Sequence, residues 1–247
     1  MGVVTLDRGE RHNALNNAMG SELGKALRWA LTDPEVRCVL LRAEGPSFSS
    51  GRDTKELGTR SGGESDFSFV RRVQEGRLAT LNAPKPVVAA VQGYVLGGAF
   101  EMVLSADVRI AADDATFAFP EIQFGLVTDT GGSQLLTMLA GPAKAKYLII
   151  SGDRIDAATA HSWGVVDFVV PRSELDGAGL ALARRMAAAP PHAAAVAKQL
   201  VDQAWAGTIQ NGIRAELLAQ TALFAGEEHR RVKAARIEEL RGARERG

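Results

Sequence analysis

The chain has 247 residues, 46% of them hydrophobic and 23% charged, which suits one large soluble domain or two small ones with a substantial core. Its 29 basic and 29 acidic side chains cancel, so no global field draws it to nucleic acid or an anionic membrane. One cysteine and four histidines without metal-ligand spacing exclude a disulfide framework and a zinc module. The opening MGVVTLDRGER lacks the basic and apolar regions of a signal peptide, and no apolar run approaches the ~18 residues of a membrane span. A cytoplasmic protein is expected.

In chain order, Val3–Leu6 reads as a short strand and Glu22–Leu31 as a helix. Val36–Leu41 is a continuous apolar run rich in β-branched residues, the pattern of a strand buried on both faces. A Gly/Ser turn, GPSFSSGRD, follows it. Ser61–Ser65 is a polar break, expected to be mobile, and Phe69–Leu81 reads as a helix that Pro84 and Pro86 end. Val87–Val91 is a second buried strand, after which Gly93–Gly98 turns into a helix carrying Glu101. Val108–Ala111 and Thr116–Phe119 are short strands leading to Glu121, and another helix starts at Gly131–Leu135. Beyond it the chain is mostly Ala-, Leu- and Arg-rich helix, apart from Val165–Val170, with breaks at Gly152, Pro190-Pro191, Gly207 and Gly226. Strand–helix alternation makes the fold class α/β. The last stretch, Glu227–Arg246, mixes acids and bases around Val232, Ile237 and Leu240, the pattern of a solvated helix that docks a narrow stripe.

Walker, GxGxxG, HExxH and GxSxG motifs are absent, which leaves carboxylates and backbone amides as the chemistry. Two glycine turns, Ser49–Asp53 and Leu96–Ala99, each follow a buried strand. Facing one cleft, their N–H groups would converge on one oxygen as an oxyanion hole; two turns that need glycine only for space fit the same spacing. Glu101 lies three residues after Gly98, and Glu121 ends a strand. Burial of Glu101 among Ala99, Phe100, Met102 and Val103 would raise its pKa toward acid–base values. Asp129 precedes a helix start, so it is either an N-cap or a third active carboxylate.

VVTLDRGERHNAL, DPEVRCVLLRAEGPSFSSGRD and above all PKPVVAAVQGYVLGGAFEMVLSADVRIAADDATFAFPEIQFGLV resemble the crotonase (enoyl-CoA hydratase/isomerase) superfamily, as do GGSQLLTMLAG and ISGDRIDAATAHSWGVVDFVV. The resemblance runs along nearly the whole chain. It implies a spiral of ββα turns over residues 1–190 and a helical trimerisation region over 191–247 that is not an independent domain. It also implies a homotrimer or dimer of trimers, and an acyl-CoA thioester substrate with no cofactor beyond the coenzyme A that the substrate carries. The amides of Arg52 and Gly98 take the oxyanion-hole positions, Glu101 and Glu121 take the two catalytic glutamate positions, and Ser50, Gly51, Asp53 and Gly97 line the substrate path.

Both acids together resemble a hydratase, which adds water to a trans-2-enoyl thioester. Asp129, where hydratases commonly carry a Pro-Gly-Ala-Gly-Gly run, is reminiscent of the double-bond isomerases. Arg52 stands where a small or apolar residue is usual, its side chain expected in solvent or toward the CoA phosphates. A nucleic-acid-binding role, which one relative has, is disfavoured by neutral charge and by only two bases in Ser21–Ala30. The acyl pocket is expected to draw on the 58–69 region.

Overall fold

The computed structural model describes residues 1–57 and 62–204, with scattered positions between 211 and 238. The chain divides into two compact units, Met1–Ala187 and Ala188–Gly247. In the first, the elements run β1 (Gly2–Leu6), α1 (Asn17–Thr32), β2 (Val39–Ala43), α2 (Asp66–Leu81), β3 (Val87–Val91), β4 (Tyr94–Leu96) and α3 (Gly98–Leu104). They continue as β5 (Val108–Ala112), β6 (Thr116–Ala118), α4 (Gly132–Ala140), α5 (Pro142–Ser151), β7 (Ile155–Asp156), α6 (Ala157–Ser162), β8 (Phe168–Val170) and α7 (Leu175–Ala187). The second unit contains α8 (Pro191–Gln203), whose first amides, at His192 and Ala193, donate to the Glu228 carboxylate. Among the described residues no helix is long and apolar enough to cross a membrane.

Five strands pair in the order β1-β2-β3-β5-β8, every pair parallel. A second sheet, β4-β6-β7, pairs β4 with β6 in parallel and β6 with β7 antiparallel. The chain therefore winds repeatedly from the large sheet to the small one and back through a helix. Strand side chains alternate between faces, and both faces of the large sheet are covered. Val39, Leu41, Val87 and Ala89 enter the main core with Phe100, Phe117 and Phe119, whereas Cys38, Leu40, Val88 and Ala90 pack on Leu175 and Ala183 of α7. Two-sided burial explains the unbroken apolar runs, and each such Val or Leu contributes ~1.5–3 kcal/mol.

The β2 strand starts three residues later than its apolar run suggests. Asp33 accepts from the Glu35 amide and Val36 closes a turn onto the Asp33 carbonyl, so Val36 is buried in the lead-in and not on the sheet. Helix α2 begins earlier than its apolar spacing indicates because Ser65 caps it, accepting from the Ser68 amide. Ser61, Gly207, Ile237 and Leu240 lie outside the described residues.

Candidate active site

The site is assembled where the two glycine turns meet. Ser49 bridges in parallel to Val95, its amide donating to the Tyr94 carbonyl and its own carbonyl accepting from Leu96. Beyond that bridge both chains turn, Gly51 at φ +85° and Gly97 at φ +57°, and Arg52 bridges in parallel to Leu15. Contact at the turn is close: a Cβ on Gly51 would stand 2.7 Å from the Leu96 carbonyl oxygen and 3.8 Å from Gly97 Cα. Both turns thus border one point, the condition that spacing alone left open. Gly98 is the first residue of α3, and its amide has no carbonyl within the helix to receive it. At seven residues α3 has little macrodipole to offer, so the amide itself is the asset.

Asn13 underpins the first turn. Fully buried, it donates through Nδ2 to the carbonyls of Glu44 and Ser47 and accepts the Arg8 amide on Oδ1, while the Ser49 hydroxyl donates to its carbonyl. It lies within the RHNAL stretch, but its neighbours do not reveal that role. Replacing Asn13 by Ala strands several buried polar groups, each costing about 1–3 kcal/mol, and is expected to lower unfolding stability in urea by about 2–4 kcal/mol. A loss under 1 kcal/mol would refute this account.

Arg52 does not turn outward. Its guanidinium donates to the Leu15 carbonyl, the Asn17 side chain and the Glu56 carbonyl and lies 5.4 Å from the Phe69 ring centroid. The expectation of solvent or CoA phosphate is therefore corrected: the guanidinium is held by oxygens of the flanking segments, sharing the Leu15 carbonyl with the Asp53 amide. Asp53 accepts from Arg8 at 2.9 Å and from the Lys55 amide, and the Arg8 bond holds its carboxyl below the usual range. The Ser50 amide donates to the His12 carbonyl.

Glu101, 1% exposed, is more deeply buried than its neighbours alone suggest. Its Oε1 accepts the amides of Thr130 and Gly132 at 2.8 and 2.9 Å. Glu121 sits on a 3-10 turn, Pro120–Phe124, anchored where Phe119 stacks on Phe100 at 4.7 Å. Its carboxylate is pressed against Gly97, where a Cβ would stand 2.7 Å from Oε1; Gly97 has φ +57°, and glycine answers both demands. The other oxygen, Oε2, is buried without a partner among the described residues. Burial, reinforced by the charges of Glu101 and Asp129, pushes the Glu121 pKa up to about 7 against its own backbone hydrogen bond. A Cβ on Gly98 would stand 4.0 Å from Glu101 Oε2, so the two acids flank the Gly97-Gly98 dipeptide, one against each glycine.

Asp129 is exposed and is not the N-cap of α4. That place belongs to Gly131, which makes no side-chain cap bond. The Asp129 carbonyl accepts from Gln74 Nε2 at 2.7 Å. On α2, Arg77 donates to the Ser105 hydroxyl and the Gly98 carbonyl. Neither Gln74 nor Arg77 stands out within the polar sequence of that helix.

The family described as enoyl-CoA hydratase/isomerase matches residues 1–241. The chain belongs to the enoyl-CoA hydratase/isomerase family. A Mycobacterium tuberculosis protein named "probable enoyl-CoA hydratase" is 35% identical to it over 238 residues, spanning 96% of this chain and 91% of that one. The carnitinyl-CoA dehydratase of Salmonella enteritidis is 34% identical, spanning 85% and 80%. Among solved structures, enoyl-CoA hydratase from Bacillus anthracis superposes with a TM-score of 0.84 at 29% identity, covering 99% of this chain and 93% of that one. The crotonase-like α/β fold is thus shared along nearly the whole chain. In this family member the two carboxylates and two glycine turns lie together in the first unit.

Proposed function

We propose that the protein is an enoyl-CoA hydratase that adds water to a trans-2-enoyl-CoA thioester. The carrying observation is the contrast between the two acids. Glu101 has one oxygen held by two amides, and Glu121 has a buried, unpartnered oxygen and a pKa raised to about 7. Paired acids in different environments divide acid and base roles. Relatives named hydratase and dehydratase support the same direction.

The thioester carbonyl oxygen accepts from the Arg52 and Gly98 amides. Glu101 takes a proton from water as its oxygen bonds to Cβ, and the π electrons move onto the carbonyl oxygen to form the enolate. The enolate collapses as Glu121 delivers a proton to Cα. Proton transfer between the acids, through water, resets the site. No metal or redox cofactor enters the scheme, since coenzyme A arrives with the substrate. Ser50, Gly51, Asp53 and Gly97 border the thioester's path, Asp53 by holding the turn through Arg8. A homotrimer or dimer of trimers belongs to the same reading, supported by the family resemblance and by apolar side chains left exposed at Phe124, Val127 and Ile150.

The alternative is a double-bond isomerase in which Asp129 and Glu121 shuttle a proton between carbons. The influence of Asp129 on the Glu121 proton favours it. Mass spectrometry of trans-2-enoyl-CoA thioesters after incubation separates the two. A product heavier by one water is expected, and Asp129→Asn should retain activity within about threefold, because losing an exposed carboxylate removes only a screened charge from the site. Unchanged mass with short and long chains, together with a dead Asp129→Asn, would make isomerisation the function.

A further inference from the structure

We infer that Arg77, assisted by Gln74, is the positioning residue of this site, with α2 holding the oxyanion-hole glycine and the Glu101-binding segment in alignment. The inference rests on the functional reading above and concerns residues it leaves without a role.

Gln74 and Arg77 are three residues apart and so share one face of α2. Arg77 reaches both ends of α3: one nitrogen donates to the Gly98 carbonyl at 3.3 Å, another to the Ser105 hydroxyl at 3.2 Å. Ser105 is the residue that closes α3. Gln74 donates to the Asp129 carbonyl, and the next residue, Thr130, and then Gly132 supply the amides that hold Glu101. One helix therefore grips both arms of the site.

Glycine leaves the hole open for a thioester, yet it also leaves the peptide without the steric restraint a side chain imposes. A hydrogen bond to the carbonyl of the same residue restores part of that restraint. Charge placement points the same way. A cation beside the first carbonyl of a helix works against the local dipole, and burial lowers the Arg77 pKa to about 10, opposed by the carboxylates of Glu101 and Asp129. Its Nε is buried without an acceptor among the described residues. A neutral donor would brace α3 at lower cost, but it would bring no positive charge to a cleft bordered by three acids.

The test uses two readouts on the whole protein. The first is kcat and KM for a short trans-2-enoyl-CoA. The second is the ultraviolet absorbance of enolised acetoacetyl-CoA at saturation, which reports polarisation of the thioester carbonyl without any turnover. Arg77→Met is expected to lower kcat about 30-fold with KM within threefold, since misplacement by 1 Å can cost ~10²-fold, and to lower the enolate absorbance at least twofold. Arg77→Lys should recover part of both. Gln74→Ala, a change at an exposed side chain, should lower kcat several-fold and keeps the question answerable if Arg77→Met does not fold. Unchanged kcat and absorbance in folded Arg77→Met, or an unchanged Gln74→Ala where Arg77→Met is unfolded, overturns the proposal. No enolate signal in the unaltered protein overturns the oxyanion-hole reading itself, and this inference with it.

Discussion

Glu121→Gln is expected to lower the rate of enoyl-CoA hydration about 10³-fold, inside the 10²–10⁴ that a positioned general acid or base contributes. Glutamine keeps the shape that fits against Gly97 but cannot deliver a proton to Cα. Because the folded pKa is about 7, kcat/KM of the unaltered enzyme should fall as pH rises through 7 and the acid is lost. Stability carries the same signature. The group's ordinary value is 4.5, so the folded chain holds a proton that the unfolded chain releases between these values. Its stabilising contribution is full below about 4.5 and is lost as pH rises through about 7. Urea titrations across that window should show a downward slope that Glu121→Gln flattens. A variant retaining a tenth of the hydration rate, or an unmodified slope, would remove Glu121 from the acid role.

Gly98→Pro is expected to reduce kcat by about 10²–10³, the loss measured for removing one oxyanion-hole donor. Proline is well tolerated at the first position of a helix; it replaces the amide hydrogen with a ring carbon, which both removes the donor and fills the place where the oxygen would sit. A Cβ at this position meets nothing nearer than Glu101 Oε2 at 4.0 Å. Thermal unfolding should therefore shift by only a few degrees while activity collapses. Hydration within threefold of the unaltered enzyme, with the fold intact, would show that this amide does not carry the developing charge.

The sequence made the large sheet legible where burial is two-sided, because Val87–Val91 needs no partner to announce itself. Strands β4 and β7 escaped notice. They are three and two residues long, and β4 exists through pairing with Ser49 and β6, which are distant in the chain. The carboxylate pair was legible through resemblance to a family, since spacing alone does not tell that Glu121 packs on Gly97. Arg52 was misread because its neighbours in sequence do not include Leu15 and Asn17, whose oxygens claim it. Gln74 and Arg77 look like any solvent-facing pair on a polar helix, and only their hydrogen bonds to the Asp129 carbonyl and to the two ends of α3 show otherwise.

Gly132 puts a constraint on how this scaffold can diversify. A Cβ there would stand 3.0 Å from Glu101 Oε1 and 3.0 Å from the Phe119 ring, although its backbone conformation is open to any residue, outside the left-handed region. The position is glycine because a carboxylate and a buried ring together occupy the space. A descendant that abandons the acid at 101 relieves one of these contacts, but the Phe119 ring must still give before 132 accepts a side chain, whereas one that gains a side chain at 132 first must displace both. The two positions are bound to a permitted order of change, and grafting Glu101 onto a related scaffold requires carrying Gly132 with it.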